Sequence, residues 1–303
     1  MTQLEYVPCD LCGAIDAAPY LKVHDQIYHL PGEFQLVKCG YCELIYLNPR
    51  PDSASIGAFY PDLDYHAFRP SSGFKADLLK RRRESEARSL VASLPAHPRI
   101  LEIGCATGEL LVTLRTMGAQ VAGVEPNAAA VQVARDRHAL DVQQGTLDEA
   151  TFEPGQFDLV LMKYALEHVH SPLATLRRIR DLLKPGGQVV LWVPNAASLD
   201  SALFGKNWRG LDAPRHLYIF TPKTMRRLIQ TAQLRLTKLS YDPMPNDFAG
   251  SVEFWLLDHA ISPMLARALG VNNPAALVAW LPISTLAALA HRSGRIRVTA
   301  TRD

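Results

Sequence analysis

The middle of the chain alternates short apolar runs with stretches whose apolar residues recur every three or four positions. The apolar runs predict strands at Arg99–Ile103, Val121–Val124, Phe157–Met162 and Gln188–Val193. The stretches between them predict amphipathic helices at Glu109–Met117, Ala128–His138 and Leu173–Leu183. Strands that alternate with helices of this length imply βαβ units and a parallel sheet, so we expect an α/β fold.

The pattern of apolar and polar residues also predicts the elements and the domain boundaries in the rest of the chain. A helical pattern covers Phe74–Leu94, a second one covers Thr221–Gln233, and late strands are predicted at Leu234–Tyr241 and Arg295–Thr301. We therefore expect a small loop-rich module at 1–51, an irregular connector and a helix at 52–98, and the α/β domain at 99–303. Within that domain, residues 243–294 form an apolar insertion punctuated by proline, which we expect to be helical.

Composition narrows the class of protein. The 303 residues are 48% hydrophobic, which argues against a disordered chain, and 32 basic residues balance 30 acidic ones for a net charge of +2. This near-neutral balance argues against binding nucleic acid through bulk charge. The N-terminus lacks a basic segment followed by an apolar one, so a cytoplasmic location is the expectation.

Four of the five cysteines form two CxxC pairs, Cys9 with Cys12 and Cys39 with Cys42. Two such pairs brought together supply the tetrahedral sulfur ligands that zinc prefers. Four protein ligands leave no open coordination position, so we predict a structural zinc site. Two disulfides or four free thiols are the alternatives.

A glycine-rich turn connects the first predicted strand of the α/β domain to its helix. The segment Leu101–Gly108 reads LEIGCATG, and Glu125 ends the next strand about 20 residues later. Glycines at such a turn let a ligand approach the backbone, and an acidic residue at that distance is placed to bind two ribose hydroxyls. An ordinary tight turn is the alternative.

These motifs resemble those of class I S-adenosylmethionine-dependent methyltransferases. The resemblance is carried by LEIGCATG at 101–108, VEP at 124–126, FDLV at 157–160, LEHV at 166–169 and LKPGG at 183–187. It implies a doubly wound seven-stranded sheet whose last strand runs antiparallel. It also implies a set of residues around the cofactor: Glu102, Gly104, Cys105, Ala106, Gly108, Glu125, Pro126, Gly145, Thr146, Leu147, Lys163 and Tyr164.

Two narrower resemblances concern catalysis. A four-cysteine module before this fold is similar to nucleotide-sugar C-methyltransferases, in which the residue matching His216 is catalytic and an aromatic residue, here Tyr218, follows. The segment that ends in Glu167 and His168 resembles the Glu-x-x-Glu-His segment of metal-dependent O-methyltransferases acting on quinone precursors and RNA ends. Tyr164 replaces the first glutamate of that segment, which leaves open whether a divalent cation is held at Glu167 and His168.

We therefore expect methyl transfer to a small hydroxylated acceptor, a sugar or a natural-product intermediate, with His216 as general base and His168 in support. Arg215 could hold an acidic group of that acceptor. The alternatives are an RNA methyltransferase with a zinc module, a nucleotide-sugar C-methyltransferase, and a non-catalytic protein that binds the cofactor. The apolar stretch 252–290 could be a lid, core, a dimer face, or a contact with a membrane or a lipid-linked acceptor. The oligomeric state is left open.

Overall fold

The computed structural model describes residues 3–60 and 73–303; the part of the predicted connector at 61–72 lies outside them. The N-terminal segment contains more regular structure than the predicted loop-rich module. Three of its strands pair antiparallel, and a later strand, Tyr218–Ile219, pairs with the strand Ile45–Leu47 as the fourth member of that sheet. The N-terminal strands are β1 (Leu4–Glu5), β2 (Ala17–Val23), β3 (Phe34–Cys39), β4 (Ile45–Leu47) and β5 (Arg50–Pro51).

A seven-stranded sheet forms the centre of the protein. Its strands are β6 (Arg99–Ile103), β7 (Gln120–Glu125), β8 (Val142–Gln144), β9 (Phe157–Lys163), β10 (Leu183–Pro194), β12 (Arg235–Tyr241) and β13 (Arg295–Thr301). The strand Tyr218–Ile219, which belongs to the N-terminal sheet, is β11. Their spatial order is β12-β13-β10-β9-β6-β7-β8, and β13 runs antiparallel to both of its neighbours. This confirms the predicted α/β fold and its antiparallel last strand.

Helices cover this sheet and fill the insertion. The helices are α1 (Gly73–Val91), α2 (Glu109–Thr116), α3 (Ala128–His138), α4 (Pro172–Leu182), α5 (Leu199–Phe204) and α6 (Pro222–Thr231), followed in the insertion by α7 (Pro245–Asp258), α8 (Pro263–Leu269) and α9 (Pro274–Leu289). The helix α3 has its predicted bounds because Asn127 caps it, accepting a hydrogen bond from the Ala130 N–H at 3.0 Å. The predicted helical insertion before the last strand is confirmed.

The N-terminal sheet shares one hydrophobic core with the central sheet. Leu36 and Leu47 are fully buried in the same apolar cluster as Val160, Leu217 and Phe220. The Leu47 N–H also donates to the Leu217 carbonyl at 2.9 Å. This packing places the segment around Leu217 beside the end of β9, where the candidate site lies. The predicted boundary at residue 51 stays a prediction.

Candidate active site

The predicted cofactor residues lie at the carboxyl ends of four adjacent parallel strands. This is the edge of an open α/β sheet at which ligands bind. They fall into four groups: Glu102, Gly104, Cys105, Ala106 and Gly108 at the end of β6 and in the turn after it; Glu125 and Pro126 at the end of β7; Gly145, Thr146 and Leu147 after β8; and Lys163 and Tyr164 at the end of β9.

The turn after β6 has a backbone that favours small residues. Gly104, Ala106 and Gly108 have positive φ angles of 73°, 49° and 84°. A side chain at Gly108 would be strained there, and its Cβ would lie 2.3 Å from Leu140 Cδ1. The Ala106 N–H donates to Glu125 Oε2 at 2.9 Å, so the carboxylate at the end of β7 fixes the turn that follows β6.

Two buried carboxyl groups border this turn. Glu125 accepts hydrogen bonds from the N–H groups of Ala106 and Asn127, each at 2.9 Å, yet burial raises its pKa. Burial also raises the pKa of Glu102 to about 8, although the charge of Lys163 works in the opposite direction. Glu102 Oε2 has no hydrogen-bond partner among the described residues. A buried acceptor without a partner is costly, so this edge suits a ligand that brings donors or positive charge.

A second cluster, made of Glu167, His168 and His216, follows β9. Glu167 and His168 lie in a short 3-10 turn, and His216 comes from the loop that precedes β11. One ring nitrogen of each histidine and one carboxylate oxygen of Glu167 all lie within 4.8 Å of one another. We call these three residues the histidine cluster.

Backbone carbonyls orient both imidazole rings. His216 Nδ1 lies 2.9 Å from the Gly210 carbonyl oxygen, and His168 Nδ1 lies 3.0 Å from the Arg215 carbonyl oxygen and 2.9 Å from the Tyr60 hydroxyl. A carbonyl accepts a hydrogen bond from the protonated Nδ1, which leaves Nε2 of each neutral ring with a free lone pair. Nε2 of His216 lies 3.9 Å from Glu167 Oε1.

Burial favours the neutral forms of the histidine cluster. It lowers the pKa of His168 to about 3, with help from the neighbouring His216. It also lowers the pKa of His216, although Asp212 opposes this shift, and it raises the pKa of Glu167 to about 8. Neither carboxyl oxygen of Glu167 has a hydrogen-bond partner in the described part of the chain. Two neutral imidazoles and a carboxyl group can accept a proton or ligate a divalent cation.

An ion pair from the insertion borders the same cluster. Arg295 on β13 makes two hydrogen bonds to the Asp247 carboxylate on α7, at 2.9 and 3.1 Å. Its guanidinium lies 4.2 Å from the ring centre of Tyr164, and its charge lowers the pKa of Glu167 against the larger effect of burial. The insertion therefore contributes the carboxylate of Asp247, and β13 the guanidinium of Arg295, to the surroundings of the candidate active site.

The four N-terminal cysteines form a separate cluster. The Sγ atoms of Cys9 and Cys42 are 3.3 Å apart, and those of Cys12 and Cys39 are 3.6 Å apart. A zinc–sulfur bond of about 2.3 Å implies about 3.8 Å between sulfurs in a tetrahedral site, whereas a disulfide needs about 2.05 Å. Burial opposes ionisation of Cys39, but the N–H groups of Cys42 and Tyr41 lower its pKa to about 7. The cluster fits a zinc ion better than disulfides.

Comparison with known proteins identifies the family. Residues 76–239 match the model of a methyltransferase domain family. A ubiquinone biosynthesis O-methyltransferase of Xanthomonas campestris is 33% identical over 221 residues, which cover 66% of this chain and 92% of that protein. The chain belongs to the S-adenosylmethionine-dependent methyltransferases. A ubiquinone biosynthesis O-methyltransferase of Aeromonas salmonicida is also similar to this methyltransferase, 32% identical over 50% of the chain and 69% of its own length.

Solved structures of low sequence identity share the fold of the methyltransferase. A methyltransferase from Archaeoglobus fulgidus has a TM-score of 0.52 and 17% identity, covering 78% of this chain and 100% of its own. The geranyl diphosphate C-methyltransferase of Streptomyces coelicolor has a TM-score of 0.51 and 14% identity, with coverages of 80% and 90%. At these identities the likeness establishes the fold alone.

Two predicted site residues of the methyltransferase are engaged elsewhere. Arg215 is buried between Asp25 and Asp212 and donates two hydrogen bonds to the Asp25 carboxylate, at 2.7 and 2.9 Å, so it is not free to hold an acceptor. The hydroxyl of Tyr218 donates to the His170 carbonyl and accepts from Arg50. The catalytic role predicted for Tyr218 stays a prediction, with its hydroxyl already occupied.

Sequence reasoning missed the residues that hold the histidine cluster of the methyltransferase in place. Tyr60 contacts His168 across 108 positions of sequence, and Asp25 contacts Arg215 across 190. Asp212 lies within 3.7 Å of His216 Nε2 and only four positions before it. The last pair had a usable signal, an acidic residue one helical turn before a candidate base. The two long-range contacts had none, because their spacing depends on the whole fold.

Proposed function

We propose that this methyltransferase transfers the methyl group of S-adenosylmethionine to a hydroxyl oxygen of a small acceptor, such as a hydroxylated aromatic ring or a sugar. The observation that carries the proposal is the histidine cluster, in which a carboxyl group and two lone pairs of neutral imidazoles converge beside the end of β9. The two O-methyltransferases named among the relatives support an oxygen acceptor.

The residues at the strand ends fit the cofactor. Glu125 would accept hydrogen bonds from the ribose hydroxyls, and the unpartnered Oε2 of Glu102 would face the positive charge of the methionine part. The turn at Gly104–Gly108 would lie against the methionine part of the cofactor. When bound, the cofactor supplies an electrophilic methyl group on a sulfonium, so the protein needs to align the acceptor and remove one proton.

His216 is the proposed proton acceptor, with His168 in a supporting role. Its Nδ1 is held by the Gly210 carbonyl, so Nε2 would accept the hydroxyl proton while Asp212, 3.7 Å away, stabilises the imidazolium that forms. His168 packs edge-on against this ring at 4.6 Å between centroids and limits its rotation. The acceptor oxygen would attack the methyl carbon from the face of the cluster while the bond from that carbon to sulfur breaks, with S-adenosylhomocysteine as the leaving group.

The same three side chains also fit a divalent cation. Carboxylate and imidazole ligands are those that Zn²⁺ and Mn²⁺ bind, and each ring is held through its other nitrogen by a carbonyl, as metal-ligating histidines are. A cation held by Glu167, His168 and His216 would supply positive charge that lowers the pKa of a bound hydroxyl. Tyr164 cannot add a carboxylate as the fourth ligand, so such a site would be completed by the acceptor or water.

Single substitutions test the role of the histidine cluster. His216→Ala is expected to bind S-adenosylhomocysteine with unchanged affinity and to lose about 10²–10⁴-fold in turnover, measured as transfer of labelled methyl to a panel of catechols, phenols and sugars. His138→Ala, on α3 outside the cluster, is the control. Full activity of both His216→Ala and His168→Ala would exclude the cluster from the reaction.

Metal removal separates the two ways in which the cluster can activate a hydroxyl. The protein is dialysed against a chelator that leaves the cysteine cluster loaded, as verified by elemental analysis, and is assayed before and after addition of Mg²⁺, Mn²⁺ or Zn²⁺. Retained activity supports His216 as the base, whereas loss and recovery support the cation. If the wild type methylates a carbon or a nitrogen of the accepted substrate, the O-methylation proposal is wrong.

The cysteine cluster is proposed to hold a structural zinc. All four sulfurs lie within 4.8 Å of one another, three of the four cysteines are buried, and four thiolates leave no position for a substrate. An RNA methyltransferase with such a module remains the alternative. The net charge of +2 gives it little support, since binding to nucleic acid relies on a basic surface.

A further inference from the structure

The insertion presents an uncovered apolar stripe on α9. Val278, Leu281, Leu286 and Leu289 stand at positions i, i+3, i+8 and i+11, which places them on one side of the helix, and they are 70%, 47%, 66% and 73% exposed. The opposite side, with Ala276, Ser284 and Ala287, is buried. No residue of α9 is charged, which is unusual for a helix that faces water on one side.

The neighbouring helix α8 continues this character. Ile261 just before α8 and Met264 and Leu265 in its first turn are exposed, whereas Ala266 packs inward against Val252 and Leu256 of α7. We call these three residues, together with the four exposed residues of α9, the apolar face. Because α7 already buries the inner sides of both helices, their outer sides have no partner among the described residues.

The formally charged side chains of the sequence segment that carries the apolar face are all of one sign. No aspartate or glutamate occurs between Asp258 and Asp303, so every formally charged side chain in that interval is an arginine. Arg267 on α8 and Arg292 just after α9 are exposed and form no ion pair in the described structure, and His259 and His291 lie exposed beside them. Two acidic residues of α7 lie nearby, but Asp258 pairs with Lys206, and Glu253 accepts a hydrogen bond from the Val271 N–H. An apolar surface whose own exposed and unpaired charges are positive is complementary to an anionic surface that has an apolar interior.

We propose that the apolar face docks on an anionic lipid bilayer, with Arg267 and Arg292 at the headgroups and the leucines of α9 in the acyl boundary. Helices of this type lie in the interface plane and gain affinity from buried apolar area and from attraction to anionic lipids. None of the helices in the described ranges combines the length and the apolar character needed to cross a membrane, so the contact is peripheral. The proposal does not rest on which acceptor is methylated.

Docking of a second copy of the chain is the competing occupant. In a symmetric dimer the same patch meets itself, so Arg267 and Arg292 would be placed close to their own counterparts, while the nearby Asp258 and Glu253 are already engaged by Lys206 and by the Val271 N–H. Like charges in such an arrangement are unfavourable. Anionic headgroups, by contrast, pair with every one of these cations.

Vesicle flotation tests the proposal on the full chain. Wild-type protein is expected to float with phosphatidylcholine vesicles that contain phosphatidylglycerol, and far less with phosphatidylcholine alone. The double variant Leu286→Asp with Leu289→Asp is expected to lose this binding by at least about tenfold, because it places two charges in the acyl boundary. Val133→Asp, an exposed apolar residue on α3, is the matched control and is expected to float normally.

A second pair of substitutions tests the contribution of Arg267 and Arg292. Arg267→Gln with Arg292→Gln is expected to weaken binding to anionic vesicles on the order of tenfold and to leave the weak binding to neutral vesicles unchanged. Arg137→Gln on α3 is its control. Thermal melting and S-adenosylhomocysteine affinity verify that every variant is folded. Wild-type protein that does not float overturns the proposal, as does a dimer in light scattering that Leu286→Asp dissociates.

Discussion

The carboxylate of Glu125 has a backbone N–H donor on each oxygen and one further lone pair on each. We expect Glu125→Ala to weaken binding of S-adenosylhomocysteine by about 1.5–3 kcal/mol, because two charge-assisted hydrogen bonds to the ribose are lost. Isothermal titration calorimetry measures the change, with Glu153→Gln as the control. If Glu125→Ala leaves the affinity unchanged, the ribose does not bind at the end of β7.

The pair formed by Asp25 and Arg215 gives a pH-dependent prediction at the same scale. Burial alone would raise the pKa of Asp25, but the hydrogen bonds and charge of Arg215 lower it below its usual value of 3.8. The ion pair therefore stabilises the fold above that value, and this contribution disappears as the pH falls through the lower pKa of the folded protein. We expect wild-type stability to drop on acidification below about pH 4 more steeply than that of Asp25→Asn.

The same substitution has a direct cost at neutral pH. Asp25→Asn leaves the buried Arg215 with a single acidic partner, so we expect a loss of about 3 kcal/mol in the free energy of unfolding. Urea denaturation measures it. Glu33→Gln removes the solvent-exposed pair with Lys22 and is expected to change stability little. Equal stabilities of Asp25→Asn and wild type would show that the ion pair contributes nothing.

Among elements, the β3–β4 hairpin depends on the cysteine cluster. Cys39 ends β3, and its N–H bonds to the Leu44 carbonyl just before β4. We expect purified protein to hold about one zinc per chain, and Cys39→Ser to lose the metal and melt at a lower temperature, because metal binding supplies folding free energy. Elemental analysis and calorimetry measure both. Cys105→Ala, which removes the cysteine outside the cluster, should keep the zinc.

The elements that could be predicted are those whose pattern is local. The strand Arg99–Ile103 and the helix Ala128–His138 have the predicted bounds, since apolar periodicity and an asparagine cap define them within a few residues. The strands β2 and β3 were not predicted. Four of the seven residues of β2 are exposed, so the segment lacks a regular alternation, and the sheet is completed by Tyr218–Ile219 from far along the chain.

In the candidate site, too, the features that a local sequence motif defines could be predicted, and those that depend on distant contacts could not. The turn at Gly104–Gly108 and the pairing of Glu167 with His168 are contained in short motifs, and the structure brings His216 to them. The engagement of Arg215 by Asp25 could not be read from the sequence, because a guanidinium near a predicted site looks the same whether its partner is a ligand or a distant carboxylate. Only the packing of the N-terminal sheet against the central one decides between them.

At the scale of the whole molecule, the N-terminal sheet behaves as part of the methyltransferase core. A chain shortened to residues 73–303 would expose Leu217 and Phe220 and leave Arg215 without Asp25. We expect this fragment to aggregate or to lose cooperative unfolding in circular dichroism. A soluble fragment that binds S-adenosylhomocysteine and melts like the full chain would show instead that the two parts fold independently.

The pairing of β4 with β11 also has a consequence for synthesis on the ribosome. Asp25 is made 190 positions before Arg215, which at about 5–20 residues per second is a delay on the order of ten seconds or more. During that interval β4 lacks its neighbouring strand β11, and Asp25 lacks the guanidinium of Arg215. The unpaired edge of β4 can then form hydrogen bonds with a strand of another chain. A zinc ion captured by the cysteines as they emerge would hold the early hairpin together until its last strand arrives.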